Sequence, residues 1–331
     1  MSDAISPIVS KAPTVLKRSD AIDEKAWSRL LLRIKNQNCT PFIGPETCFD
    51  FSVPSASAIA QEWALTYDYP LDDRTNLPRV AQYLAYDVNR GDSNAVKEEL
   101  VEKFRGLRLP DLSDPDEPYR VLASLPLRIY LNTHFFGFTH QALKAAHKDP
   151  RRALCRWHGG EPSEAFPELD FGSYDPDPAN PLVYHLFGHI DEPASLVLTE
   201  DDYLDFLVRT SEFQPQDEEL IPQAVQSAMR NHSLLFFGYQ MNDLDFRVIL
   251  RSLNRLWQKK KEACRGTHFT VQLVHVGESK TTSDQVDRVK KYCEGYCSNL
   301  SIGVYWGSTR DFLIELRQRW EDYSAKNPAV A

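Results

Sequence analysis

Apolar residues fall into two recurrent patterns along this chain. Short, largely apolar runs such as "LRIYL", "LVYHLF" and "SLLFFG" have strand length and no strict polar alternation, the pattern of strands buried on both faces of a parallel sheet. Longer stretches between them place apolar residues at helical spacing, as with Trp27, Leu30, Leu31 and Ile34 within residues 23–36. The stretch "SASAIAQEWALTY" and the stretch "LPRVAQYLAYDVN" follow Ser and Asn residues suited to cap a helix. Thr199 precedes the acids of "TEDDYLDFL" in the same way, and those acids suit the positive end of the helix dipole.

Strand and helix alternate from about residue 23 to the C-terminal helix "TRDFLIELRQRW", which predicts an α/β fold: a doubly wound, Rossmann-like parallel sheet. Residues 1–22 read as a flexible tail rich in Ser, Pro, Ala and Lys. Residues 23–325 form the domain, with a helical insertion over about 55–120 and a short tail at 326–331. The Pro-rich segment from Asp149 to Pro181 reads as a polar connector.

Composition narrows the function classes. With 42% hydrophobic residues over 331 positions, the chain is long enough to bury a large core. Lys plus Arg is 38 and Asp plus Glu is 47, a net charge of -9, so no bulk basic surface is available for a nucleic-acid backbone and direct nucleic-acid binding is not expected. No window approaches the roughly 18 consecutive apolar residues of a membrane span. The N-terminus lacks the apolar core of a secretory signal, and the expected location is cytoplasmic. The six cysteines are scattered, and Cys293 and Cys297 have no second pair at zinc spacing, so reduced thiols and no metal site are expected.

In an open parallel sheet, ligands bind beyond the carboxyl ends of the strands, where helix N-termini and free amides gather. Four such ends carry candidate residues: Gly44, Glu46 and Thr47; Asn132 to His134; His185, Gly188 and His189; and Gly238, Tyr239 and Asp243, with Asp245 beyond. Each also has a plain structural reading. The glycines suit simple turns, Asn132 suits a helix cap, the histidines suit a satisfied rim, and the two aspartates suit the first turn of a helix. No G-x-G-x-x-G follows any predicted strand, which argues against a dehydrogenase of the dinucleotide-binding type.

The order of these turns resembles the sirtuin-like, NAD-consuming fold of bacterial defence proteins. "FIGPETC" stands where that family has its "GAG" phosphate loop, "YLNTHF" where it has "TTNYD", "YHLFGHIDEP" where a strand ends in "HG", and "LLFFGYQMNDLDFRVIL" where it has "GYSxxDxDF". The likeness extends over roughly residues 25–322 and lacks the paired CxxC zinc module of the sirtuin deacylases. It implies NAD as substrate, no zinc, and cleavage of NAD to nicotinamide and ADP-ribose in an abortive-infection response. Asn132 matches the asparagine that orients the nicotinamide ribose or a water, and an amide that both donates and accepts suits a developing ribose cation. The resemblance also places Gly44, Glu46, Thr47, Gly188, Gly238, Tyr239 and Asp243 around the dinucleotide. It further implies a separate sensor or regulatory partner, a homo-oligomer, or both.

Three of the four family elements depart from the pattern. Phe187 stands where the general-base histidine precedes Gly188, leaving His185 and His189 as the substitute candidates and the His158–Gly159 pair as a remote one. Pro45 and Glu46 replace small residues of the phosphate loop; proline lacks an amide donor, and a carboxylate repels a pyrophosphate unless it points to solvent. His134 takes the place of the acid in "TNYD". Two readings follow: an NAD+ glycohydrolase, or a catalytically silent sirtuin-like subunit that binds a nucleotide or scaffolds a complex.

Overall fold

A computed structural model of the chain describes residues 22–47, 53–211, 220–241, 243–258, 268–273 and 283–327. The tail through residue 21, Cys48, Cys264, the side chain of Asp245 and residues 328–331 lie outside the described residues. In chain order, α1 (Glu24–Lys35) leads into β1 (Cys39–Ile43). The helices α2 (Ala56–Thr66), α3 (Leu77–Tyr83), α4 (Ser93–Lys103) and α5 (Pro118–Ser124) come before β2 (Ile129–Asn132), with a π-helical turn at Leu84–Val88. Then follow α6 (Phe138–Ala145), β3 (Arg151–Leu154), β4 (Leu182–His185), α7 (Glu200–Ser211), α8 (Gln223–Asn231) and β5 (Ser233–Phe237). The described chain ends with α9 (Leu244–Gln258), β6 (His268–Gln272), α10 (Ser283–Asn299), β7 (Ile302–Trp306) and α11 (Thr309–Lys326).

The strands form one seven-stranded sheet in the order β3-β4-β2-β1-β5-β6-β7, and every pairing is parallel. This is the doubly wound α/β sheet that the largely apolar runs predict. Strand β1 is central, with β2 on one side and β5 on the other. The chain leaves β1 toward β2 and leaves β5 in the opposite direction, so the switch point, where a cleft must open, lies at the carboxyl ends of β1 and β5.

Alternate strand residues feed two cores, one on each face. Ile43, Tyr130, Val183, Leu235 and Phe237 pack with Trp27 of α1, Trp63 of α2, Leu100 of α4 and Phe312 of α11. Phe42, Leu131, Tyr184, Leu234 and Phe236 pack with Phe206 of α7, Met229 of α8 and Leu253 of α9. Each such side chain, fully withdrawn from water, contributes about 1.5–3 kcal/mol. Trp27 stacks on Phe312 at 5.3 Å between ring centres, and Phe312 meets Phe237 at 5.6 Å, which ties both terminal helices to the centre of the sheet.

Helix starts follow the sequence. Asp23, Ser55 and Asn76 accept hydrogen bonds from Ala26, Ala58 and Arg79 amides at the starts of α1, α2 and α3, and the Thr199 hydroxyl accepts from the Asp202 amide at 3.1 Å. The segment read as a polar connector differs: it contains β3, paired along β4 from Arg151 to Leu154. A strand at the sheet edge keeps one face in water, so it carries charges instead of the apolar run that marks its neighbours.

The acids that begin α7 also hold the helices between β1 and β2. Glu200 pairs with Arg79 at 3.2 Å, Asp201 accepts from the Gln82 amide at 2.7 Å, and Asp202 pairs with Lys97 at 2.9 Å. The first pair is exposed and contributes little. The Lys97 pair is buried, with Lys97 only 2% exposed and its ammonium over the Trp157 ring at 5.1 Å. Asp202 also accepts from the Leu198 and Thr199 amides. Lys97→Met strands that carboxylate and is expected to destabilise the fold by about 3 kcal/mol, measured by chemical denaturation. Lys103→Met, which breaks the more exposed pair with Glu62, is expected to cost under about 1 kcal/mol.

Candidate functional site

Three strand-end turns are stitched together at the switch point. The Gly44 amide donates to the Phe237 carbonyl at 2.8 Å, the Glu46 amide to the Gly238 carbonyl at 3.1 Å, and the Thr133 amide to the Ile43 carbonyl at 3.0 Å. The Tyr239 hydroxyl lies 2.8 Å from the Thr133 hydroxyl, and the Tyr239 ring stacks on Phe246 at 5.0 Å. The glycines here answer to chain packing. A Cβ at Gly44 would lie 2.5 Å from the Gly238 carbonyl oxygen, and one at Gly238, where φ is 69°, would lie 2.3 Å from the Thr47 amide nitrogen. Gly188, with φ of 90°, has the Ser195 carbonyl oxygen 2.3 Å from where a Cβ would sit.

A cavity of about 440 Å³ opens beside these turns, lined by Glu46, Thr133, His134, Gln240 and Asp243 from the strand ends. Ser55, Asn76, Leu100 and Phe104 of the helical insertion close its other side. That size is ordinary for a small-molecule site. Glu46 does not turn to solvent as a simple way out of its conflict with a phosphate. It is half-buried, and its carboxyl accepts from the Gln240 side-chain amide. The Gln240 backbone amide in turn donates to the Asp243 carboxylate at 2.7 Å. Burial first, and the neighbouring Asp243 charge second, raise the Glu46 carboxyl to about 8, against the smaller opposing effect of the Gln240 bond. Asp243 thus orders the turn that leads into α9, whose Arg247 amide donates to the Asp243 carbonyl at 3.2 Å.

His134 is the histidine that lines this cavity. Its Nδ1 accepts from the Phe136 amide at 3.1 Å, its Nε2 lies 3.3 Å from the Tyr119 hydroxyl, and burial lowers its pKa to about 3. It is a neutral imidazole engaged on both sides, a wall and not a free base.

The other predicted candidates form a second group behind that wall. Asn132 and His185 are register partners on β2 and β4, and the His185 and His189 rings meet edge to face at 4.7 Å. Asn132 does not cap α6: its Oδ1 accepts from the Thr139 hydroxyl at 3.1 Å, while Gly137 occupies the cap position. His189 Nδ1 accepts from the Asp191 amide at 3.1 Å. Asn132 Nδ2, both nitrogens of His185 and Nε2 of His189 are buried with no hydrogen-bond partner. Burial holds His185 well below, and His189 at about 4 against, the ordinary histidine value. Neutral amide and imidazole groups with unused capacity suit an uncharged hydrogen-bonding atom, such as a water or a hydroxyl.

None of these three residues lines the 440 Å³ cavity. Phe187 points into the opposite core, against Tyr203 at 5.6 Å and Phe206 at 5.0 Å. His158 lies elsewhere, against Trp157. Two residues that sequence reasoning missed close the histidine cluster. Phe166 meets His185 at 5.8 Å and His189 at 5.1 Å, and the Arg152 guanidinium covers Phe166 at 4.9 Å. Both belong to the segment read as a connector, and the run "RRAL" carries no apolar alternation that would mark it as a strand. Among the described residues no group of three or more His, Cys, Asp or Glu is arranged to hold a metal ion, and no helix is long and apolar enough to cross a membrane.

Residues 130–291 match the SIR2-like domain family. The chain is also similar to curated proteins named NAD(+) hydrolase ThsA. It is 24% identical to that of Enterococcus faecium over 54% of this chain and 32% of the relative. With that of Cytobacillus dafuensis it shares 21% over 60% and 34%, and with that of Bacillus cereus (strain MSX-D12) 19% over 68% and 42%. The chain therefore spans 32% to 42% of the length of these relatives. With all seven described strands parallel and the switch-point turns joined as described, the chain has a sirtuin-like α/β fold, and residues 130–291 are similar to the SIR2-like domain family.

Proposed function

We propose that the chain is an NAD+ glycohydrolase, cleaving NAD+ to nicotinamide and ADP-ribose in an antiviral, abortive-infection response. The observation that carries this reading is the cavity at the switch point, walled by the ends of β1, β2 and β5 and by the helical insertion, in a sheet that matches the SIR2-like family. The names of the relatives support it. In the reaction the bond from nicotinamide nitrogen to ribose C1′ breaks, water adds at C1′, and its proton leaves to solvent. The Asn132 amide, with Nδ2 unpaired and Oδ1 held by Thr139, orients the water or the ribose hydroxyls. His185 and His189, neutral and grouped with Asn132 at the ends of β2 and β4, are the bases of that cluster.

Incubation of the purified protein with NAD+, alone and with any co-purifying protein, is expected to release nicotinamide and ADP-ribose. Asn132→Ala is expected to lower the rate by about 10²-fold. No release by the parent protein under either condition would sink the enzyme reading.

A second reading is favoured by one observation: Phe187, at the position of the family's general base, is fully buried between Tyr203 and Phe206, and the nearby histidines do not line the cavity. Here the chain is a silent sirtuin-like subunit that binds a nucleotide or scaffolds a defence complex. Saturable NAD+ binding by equilibrium dialysis without turnover is its expected signature. In either case we propose assembly as a homo-oligomer or with a separate sensor, supported by exposed Leu65 and Leu71 on and beside α2. Light scattering is expected to give a mass above one chain, and a monomer that captures no partner would overturn this.

A further inference from the structure

The cavity has an unusual charge lining for a nucleotide site. Among the described residues around it, the charged ones are Glu46, Asp73 and Asp243, and none is a lysine or arginine. A phosphate-bearing ligand entering it meets carboxylates with no fixed cation to balance its charge. The turn after β1 places one of those acids on the cavity wall: Glu46 lines it, its carboxyl tied to Gln240, and Gln240 is tied through its backbone amide to Asp243. The two carboxyl groups are thus held by one short hydrogen-bonded turn, close enough for each to feel the other's charge.

We propose that Glu46 is a specificity-determining residue that makes binding in this cavity proton-coupled: a phosphate-bearing nucleotide enters together with a protonated Glu46 carboxyl, which donates a hydrogen bond to it. This rests on the nucleotide-binding reading above. A neutral carboxyl removes the nearest repulsive charge and supplies the donor that Pro45, without an amide hydrogen, cannot. Deprotonated, the same group closes the cavity to anions and leaves it open to uncharged nucleosides.

Glu46 is raised to about 8, mainly by burial, so it passes from neutral to charged across the mildly alkaline range. His134, the imidazole facing it from the β2 turn, is held at about 3 and stays neutral throughout. From the insertion, Asp73 is paired with Arg79 at 3.3 Å. From α9, the Arg247 guanidinium turns to the Met241 carbonyl at 3.3 Å and not to Glu46. Asp243 faces Glu46 from the start of α9, and Tyr203 of α7 is the remaining ionisable side chain on the wall.

ADP-ribose and adenosine serve as probes, titrated into the whole chain by calorimetry at pH 6.5 and pH 9. If only the protonated form binds, the ADP-ribose affinity is expected to be about tenfold weaker at pH 9, the fraction of competent protein falling by that factor, while adenosine binding is unchanged. Titration near pH 8.5 in two buffers of different ionisation enthalpy is expected to show proton uptake with ADP-ribose. Glu46→Gln is expected to abolish both the uptake and the pH slope while retaining binding at pH 9. ADP-ribose affinity that is equal at both pH values, or a slope and uptake that persist in Glu46→Gln, would overturn the proposal and leave the nucleotide reading standing. Failure of both probes to bind either protein at any pH would overturn the nucleotide reading and this inference with it. Should Glu46→Gln fail to fold, buffer-dependent uptake in the parent protein decides alone, its absence overturning the proposal.

Discussion

Everything at the candidate site depends on how closely the turns after β1 and β5 approach each other. Gly44 and Gly238 face one another with no room for a Cβ on either, and this lets the backbone of one turn hydrogen-bond directly to the other. Those bonds fix the direction of Glu46 and Gln240, and through Thr133 they also fix the end of β2. A turn assembled from main-chain contacts keeps its shape without help from side chains, so the side chains at its rim are released for other roles. That explains how a loop with Pro45 and Glu46 in place of small residues still holds the geometry of its fold.

A second consequence of the same stitching is the division of the candidate residues. Asn132 is the last residue of β2 and does not line the cavity, while Thr133 and His134, in the turn beyond the strand, do. The unpaired atoms of Asn132, His185 and His189 form a buried polar cluster in which charge is disfavoured on both imidazoles. The open cavity, by contrast, is acidic. The carboxylates and the neutral hydrogen-bonding groups are thereby kept apart, with His134 on the cavity wall.

Much of the architecture was legible in the sequence, because strands buried on both faces leave largely apolar runs and because Ser55, Asn76 and Thr199 announce their helices through capping chemistry. Strand β3 was not legible, since Arg151 and Arg152 give it the composition of a loop. The four ligand-side turns could be located from their glycines. Their partition could not, since it depends on which residue of each strand end faces the cleft, and a one-residue difference inverts the answer. Glu46 shows the same limit: its sequence neighbours allow a solvent-facing side chain, and only the approach of Gln240 from a strand distant in sequence turns it inward.

The charges on β3 have a bearing on how far the sheet extends. Arg151 is exposed at the rim, and Arg152 is drawn over Phe166 and toward Asp191. Another strand laid alongside would have to strip water from one guanidinium and pull the other from its aromatic seat. The sheet therefore stops at its seventh strand on this side for an electrostatic reason, and the edge that confines the histidine cluster doubles as a guard against unwanted growth into a larger β-assembly.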